Sequence, residues 1–330
     1  MNIAVVILNW NGKKLLERFL PGVIAHSDDQ QIYVIDNGSE DDSVVFVREQ
    51  FPSVKIIQLD QNYGYAVGYN KGLQEIEEAV YVLLNSDVEV PENWLKPLEE
   101  TLLKTEDCVA LQPKILNLNT PKQFDYAGAA GGYIDRLGYP YCRGRIFDHI
   151  EEDRGQYDDR QQIFWASGAC LVVRRQAFWE VGGLDADFFA HQEEIDLCWR
   201  LQTAGGRIMF IPESVVYHLG GGTLDSTSPN KTYLNFRNSL LLLFKNVKGK
   251  QVYLLILCRL ILDALAVLRF MLQLKPDHAV AVVRAHFGFY RLVSSFRAKR
   301  KQWASHLKYF RNRSVVWNYF LLKRRTFNRL

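Results

Sequence analysis

Val82-Leu83-Leu84-Asn85-Ser86-Asp87 is an apolar run that ends in Asn-x-Asp. Side chains of an extended chain alternate with period two, which predicts Asn85 and Asp87 on one side. Oxygen ligands at such a rim suit a hard divalent cation, Mg²⁺ or Mn²⁺, whose shell is completed by substrate phosphates. The same residue types also suit a plain turn. Val215-Val216-Tyr217-His218 ends a second apolar run and is followed by Gly220, Gly221, Gly222 and Thr223. That placement lets His218 reach into a cleft, although a lone histidine is as readily structural.

A third cluster, Glu193, Glu194 and Asp196, crowds the start of a helical stretch, where the helix dipole favours ionised carboxylates. Phe188, Phe189 and Trp199 frame it. A carboxylate held ionised in a partly apolar cleft is what a general base requires, and a surface acidic cap is the alternative. Asp36, in Val34-Ile35-Asp36-Asn37-Gly38-Ser39, stands where a carboxylate can accept from the imide N–H of uracil or thymine. Ser39 can cap the next helix. In the stretch from Asn62 through Gly64 and Gly68 to Asn70, Gly64 permits close backbone approach, and the helix starting there offers N–H groups to an anion. The spacing is not that of a dinucleotide fingerprint, and no Walker lysine follows.

The elements that must carry these residues are visible as a rhythm. Strand-like runs at 3–8, 31–35, 54–59, 80–84 and 108–111 alternate with helix-like segments at 13–25, 42–50, 66–78 and 92–104. This βαβα order predicts an α/β fold with a mostly parallel sheet, whose ligands bind outside the carboxyl ends of the strands. Residues 117–162 lack periodicity and read as a long loop covering a site. Strand-like composition returns at 164–174, 207–211 and 215–217, and a short helix at 193–203 is stopped by Gly205-Gly206.

Composition excludes a disordered or fibrous chain, since 48% of residues are hydrophobic and 13% aromatic. The net charge of +3 conceals segregation: residues 278–330 hold 13 Lys or Arg and no acid. The five scattered cysteines read as reduced thiols of a cytoplasmic protein. The apolar run 3–8 is too short for a signal peptide. Residues 251–274 are apolar but interrupted by Arg259, Asp263 and Arg269, which favours packing on the domain or lying in a membrane interface over spanning. The basic tail interleaves Trp303, Tyr309, Phe310, Trp317, Tyr319 and Phe320. That mixture fits an anionic membrane surface or a stacking platform for nucleic acid; the apolar helix before it favours the membrane and argues against nucleic acid.

Taken in order, VVILNWNG, VIDNGSED, QNYGYAVGYNKG, LLNSDVEV, SGACLVVRRQAFWEVGGLDADFFAHQEEIDLCWR and VVYHLGGGT resemble the family-2 glycosyltransferases of the GT-A fold, in particular their rhamnosyltransferase-like bacterial branch. The resemblance covers about residues 2–245. It implies a GT-A domain over 1–245, a twisted, mostly parallel sheet flanked by helices; the apolar stretch and the segregated charge predict that a helical, basic, membrane-associating extension follows over 246–330. It implies nucleotide-sugar binding by Leu8, Asn9, Asn11, Asp36, Asn62, Gly64, Asn70, Asn85 and Ser86. Asp87 is the implied ligand of Mg²⁺ or Mn²⁺, with His218 joining the shell. Asn85 departs from the stricter Asp-x-Asp form. Glu194, the second member of the base motif, is the implied base, with Glu193 its rival. The implied reaction is inverting transfer from dTDP-rhamnose or a UDP-sugar to a hydroxyl of a glycan or lipid-linked acceptor in cell-surface polysaccharide synthesis. The expected place is the inner face of the cell membrane, held peripherally. A non-catalytic membrane adaptor with a degenerate domain is the alternative, weakened because every expected site position holds a chemically usable residue.

Overall fold

A computed structural model describes residues 1–220 and 228–330. Gly221, Gly222 and Thr223 of the glycine-rich motif lie outside the described residues. In the first strand, β1 (Ile3–Asn9), Ala4 and Val6 enter one core while Ile3, Val5 and Ile7 enter another. Period-two alternation thus gives the sheet two apolar faces, each needing a cover. Helix α1 (Lys13–His26) covers the second with Leu16, Leu20 and Val23. After β2 (Gln31–Asp36), α2 (Ser43–Gln50) and β3 (Lys55–Gln58), helix α3 (Gly64–Leu73) covers the first with Ala66, Tyr69 and Leu73. Strand β4 (Val80–Leu84) then pairs parallel with β1 on the side away from β2. The chain therefore reverses its direction of travel across the sheet between β1 and β4, the place where such sheets open a crevice.

Past β4 come β5 (Val88–Glu89), α4 (Lys96–Lys104) and β6 (Cys108–Asn117). Residues 117–162, expected as one long loop, instead contain β7 (Gly132–Ile134), β8 (Pro140–Cys142), β9 (Arg145–Ile146) and β10 (His149–Ile150), which form a second antiparallel sheet, and β11 (Gln161–Gln162). Strands of two and three residues are too short to leave a periodic signature. Strand β12 (Cys170–Arg174) runs antiparallel between β4 and β6. It is followed by α5 (Arg175–Glu180), α6 (Glu193–Thr203) and β13 (Arg207–His218). The two runs expected at 207–211 and 215–217 are one strand, broken in register between Ile211 and Val215 against β6. Among the described residues the main sheet has nine strands, mostly parallel, as expected.

Helices α7 (Pro229–Asn246), α8 (Gln251–Leu272) and α9 (Pro276–Trp303) complete the chain's long elements. Of the three charges that interrupt α8, Arg259 and Asp263 point inward, whereas Arg269 is exposed beside the Phe320 ring. Arg259 stacks 3.9 Å over the Tyr139 ring and donates to Leu137 O and Ser239 Oγ, while Asp263 accepts from Tyr139 and meets His286. No helix of the described residues is long and apolar enough to cross a membrane. The tail aromatics differ from expectation. Tyr309 stacks on Trp199, and Tyr319 and Phe320 pack on Phe147, so of the six only Trp317 is strongly exposed. The exposed apolar surface lies instead on the outer faces of α8 and α9.

Candidate active site

Three turns meet at the carboxyl ends of the strands. The first lies where the carboxyl ends of β1 and β2 stand side by side, Asn9 opposite Asp36. Asn9, the last residue of β1, is buried and donates to Asp36 Oδ1 (3.2 Å) and Ser43 Oγ (2.9 Å). Asp36 Oδ2 accepts the Ser39 N–H. Asn11, in the left-handed region at φ 50°, accepts the Glu40 N–H and receives no burial of its own. Asp36 is fully buried, so it shapes the wall of the crevice from below rather than standing at the rim. Leu8 is half-buried behind it against the α3 core.

The second turn is 62–64. Asn62 Oδ1 accepts from Asn37 Nδ2 and the Gly64 N–H, and Asn37 Oδ1 accepts from Tyr63. Asn37 thereby ties the two turns together. Gly64 has φ 75°, and a Cβ there would come within 2.8 Å of the Phe189 ring. Asn70 lies one step away from the crevice: its amide both donates to Leu184 O and accepts from Leu184 N, pinning the 184 loop.

The third turn is 85–87. The strand ends at Leu84, so the extended alternation predicted for Asn85 and Asp87 does not hold: Asn85, Ser86 and Asp87 form a turn. Asn85 and Ser86 are half-exposed; Asp87 is buried. Across from it, at the end of β13, His218 Nε2 stands 3.2 Å from Asp87 Oδ1, and Nδ1 stands 2.9 Å from Asp125 Oδ1. Burial opposes charge on this ring, but the hydrogen bonds to Asp125 and Asp87 outweigh it and raise the imidazole to about 10. Two buried carboxylates thus converge on one point that demands positive charge. Asp125 completes a carboxylate–histidine pair that would fix the ring's tautomer for a ligand role. Asp87 and His218 therefore fit a divalent cation as partial ligands. No group of three or more His, Cys, Asp or Glu among the described residues can hold an ion alone.

The loop before α6 closes the crevice. Phe189, His191 and Gln192 all lie in the left-handed region, at φ 65°, 68° and 71°. Strain of this kind persists only where surroundings impose it. Here Asn238 of α7 donates to the carbonyls of Phe188, Ala190 and His191 at 2.7–3.0 Å, Arg237 donates to Asp187 and Phe188, and Gln192 donates to Asn235 O. The acidic cluster then divides. Asp196 faces Lys245, Arg200 and Asn246 and, despite burial, is lowered to about 2. Burial raises Glu193 well above the usual carboxylate range, reinforced by Glu194. Burial raises Glu194 to about 7, with backbone N–H groups opposing. The helix dipole favours ionised forms at all three positions, and at the two glutamates burial opposes it. Buried atoms of four consecutive residues (His191 Nε2, Gln192 Oε1, Glu193 Oε2 and Glu194 Oε2) have no hydrogen-bond partner among the described residues.

These parts share one crevice. Tyr65 on α3 donates to Gly168 O, the neighbouring Ala169 O accepts the Asn85 N–H, and the charges of Glu193 and Glu194 act on Tyr65. Residues 4–182 match the family described as Glycosyl transferase family 2, and residues 148–324 match Glycosyl transferase family group 2. The chain belongs to glycosyl transferase family 2. Among relatives of this family-2 chain, N-acetylglucosaminyl-diphospho-decaprenol L-rhamnosyltransferase of Mycobacterium tuberculosis is 27% identical over 235 residues, 66% of this chain and 75% of the relative. Of solved structures, GalNAc-T7 with UDP, GalNAc and Mn²⁺ has a TM-score of 0.57 at 20% identity, covering 74% of this chain and 47% of that one. S. aureus TarS 1–349 has a TM-score of 0.57 at 15% identity, covering 92% and 88%. The GT-A fold expected from the motifs is the fold observed.

Proposed function

We propose that this glycosyltransferase moves a hexosyl group, with inversion, from a nucleotide sugar to a hydroxyl of a lipid-linked glycan. The observation that carries the reading is the half-buried Glu194 carboxylate, whose Oε2 has no hydrogen-bond partner among the described residues, raised to about 7 beside a donor-side crevice. A group poised near neutrality accepts a proton in the transition state and returns it afterwards. Glu194 Oε2 takes the proton of the acceptor hydroxyl as that oxygen bonds to the anomeric carbon. The bond from that carbon to the phosphate oxygen breaks on the opposite face, and the nucleoside diphosphate leaves with its electron pair. Asn9, Asp36, Asn37 and Asn62 frame the nucleoside, and Gly64 lets the backbone approach it. Asp87 and His218 would hold Mg²⁺ or Mn²⁺, and that cation would supply charge neutralisation for the leaving diphosphate. Support for a metal comes also from GalNAc-T7, solved with UDP and Mn²⁺. The rhamnosyl donor and the diphospho-decaprenol acceptor in the M. tuberculosis relative's name support a dTDP-sugar or UDP-sugar and a lipid-linked acceptor.

A lipid acceptor requires the enzyme to work at a membrane. Leu254, Leu257, Ile261, Leu265 and Leu268 form an exposed apolar stripe on α8, and a basic α9 and tail flank it. Apolar side chains rimmed by Lys and Arg suit an anionic lipid surface, bound peripherally. Five free cysteines favour the reducing, cytoplasmic side. Purified protein incubated with a panel of nucleotide sugars, with Mn²⁺, Mg²⁺ or EDTA, tests the reaction. Metal-dependent release of nucleoside diphosphate from one donor is the expected result, and no release from any donor would sink the proposal.

A further inference from the structure

Beside the base loop, α7 and α9 enclose a groove that the donor crevice does not use. Its two lobes, of about 290 and 250 Å³, share Tyr233 and Arg284. The floor exists because position 288 has no side chain: a Cβ on Gly288 would meet the Tyr233 hydroxyl at 2.6 Å and Arg237 Cδ at 3.3 Å. Guanidinium groups of Arg237 and Arg284 lie 5.4 and 5.6 Å from the Tyr233 ring centre. Arg291 closes the second lobe, and neither Arg284 nor Arg291 forms an ion pair among the described residues. The one carboxylate of the groove, Asp277, lines only the first lobe.

Arg284 and Arg291 stand on one stripe of α9, about 10 Å apart along its axis, with Phe287 and Gly288 between them. Guanidinium forks match phosphate oxygens, and two forks on either side of a gap suit two linked phosphates. The same stripe is apolar outside the arginines: Val280, Phe287 and Tyr290 are exposed by 57, 65 and 58%. An anion site opening on an apolar surface calls for a ligand that is both. Tyr233 lies one turn before Arg237, whose guanidinium holds the carbonyls of Asp187 and Phe188 in the base loop. The groove is thus about one helical turn, roughly 5 Å, from the contacts that position the base. From this juxtaposition we propose that Tyr233, Arg284, Phe287, Gly288 and Arg291 bind the diphosphate and first isoprene units of a polyprenyl-diphosphate-linked acceptor, presenting its sugar to Glu194. This rests on the transferase reading and names the acceptor class for the same site.

The test uses the full chain and farnesyl diphosphate in metal-free buffer, so that a cation at Asp87 and His218 does not recruit the probe. Wild type is expected to bind it at least about tenfold more tightly than farnesol, inorganic pyrophosphate, or the Arg284→Ala/Arg291→Ala variant. Gly288→Leu, which fills the groove without changing charge, should lose the probe as well. Flotation with phosphatidylglycerol vesicles should leave both variants bound as wild type is. Probe binding that survives both variants overturns the groove, and so does vesicle binding that falls in parallel with probe binding, which marks a general headgroup site. Donor hydrolysis separates the two readings. A wild type that binds the probe but hydrolyses no nucleotide sugar overturns the transferase reading and leaves the groove standing. A variant that hydrolyses donor normally and still transfers to a diphosphate-linked acceptor overturns the groove alone.

Discussion

Glu194 and Asp196, two residues apart on the first turn of α6, are driven in opposite directions: Glu194 up to about 7 and Asp196 down to about 2. Burial acts on both, and the difference is made by Lys245 and Arg200, which reach Asp196 and not Glu194. Environments that separate two carboxylates in this way divide their roles. Glu194→Gln should lower kcat by about 10²–10⁴-fold, while Glu193→Gln retains a larger share of activity. Initial-rate assays of both purified variants check this, and near-normal turnover in Glu194→Gln would refute the assignment.

The pH profile carries its own sign. The base must be deprotonated to act, so kcat/KM for free enzyme should rise with pH through an apparent value near 7 and level above it. The value belongs to the Glu193–Glu194 pair rather than to one carboxylate. A raised carboxylate also costs stability once ionised: the cost is absent below the unfolded value and grows as pH rises through the folded one. Glu194→Gln should therefore raise the melting temperature relative to wild type at pH 8 and not at pH 5. Equal shifts at both pH values would contradict the burial of that charge.

Asp196 should show the reverse. Its folded value lies below the ordinary 3.8, so its contribution is present above that pH and is lost as pH falls toward 2. Asp196→Ala leaves Arg200 in the core without its carboxylate and leaves Lys245 with Asp185 alone. Breaking a buried pair on one side costs about 3–5 kcal/mol, measurable by urea denaturation at pH 7.

Asp125 gives a test of the cation site that does not touch its direct ligands. Asp125→Asn removes the carboxylate that orients His218 through Nδ1. Loss of such an outer partner weakens metal binding by about 10–100-fold. Titration of Mn²⁺ in the presence of nucleoside diphosphate, followed by calorimetry, should show that drop with the fold intact. An unchanged Mn²⁺ affinity would remove His218 from the shell.

The βαβα rhythm, the two glycine-bearing turns, His218 at a strand end and the acidic start of α6 were all legible because each is local: a period, a cap or a breaker. What was not legible is where partners come from far along the chain. Asp125 sits in a stretch whose strands are too short to show a pattern, and nothing local marks it as the partner of His218, 93 residues away. Asp36 reads by position as a carboxylate able to accept from a pyrimidine imide, and its own acceptance from Asn9 and Ser39, which buries it, is not visible in the sequence. The division of the acidic cluster was hidden for the same reason, since Lys245 lies 49 residues beyond Asp196. The tail aromatics differ in the other direction: interleaving with Arg and Lys looks like an interface, but Tyr309 packs on Trp199 and Tyr319 and Phe320 on Phe147, which leaves Trp317 strongly exposed.

Asn238 is the least conspicuous of these distant partners and the most exacting to test. One amide donates to three carbonyls of a loop in which three residues hold left-handed conformations. Without those bonds the loop relaxes toward ordinary backbone angles, and the carboxylate at its end moves. A misplacement of about 1 Å can cost on the order of 10²-fold in rate. Asn238→Ala should therefore lower kcat by roughly 10–100-fold and leave the donor KM nearly unchanged, because Asn9, Asn62 and Asp87 stand on other elements. Its pH profile should also shift, since a loosened loop admits water to Glu194 and removes the burial that raises it, moving the acidic limb to lower pH. A variant that loses stability and activity together, with the acidic limb unmoved, would show that Asn238 holds only the fold and not the base.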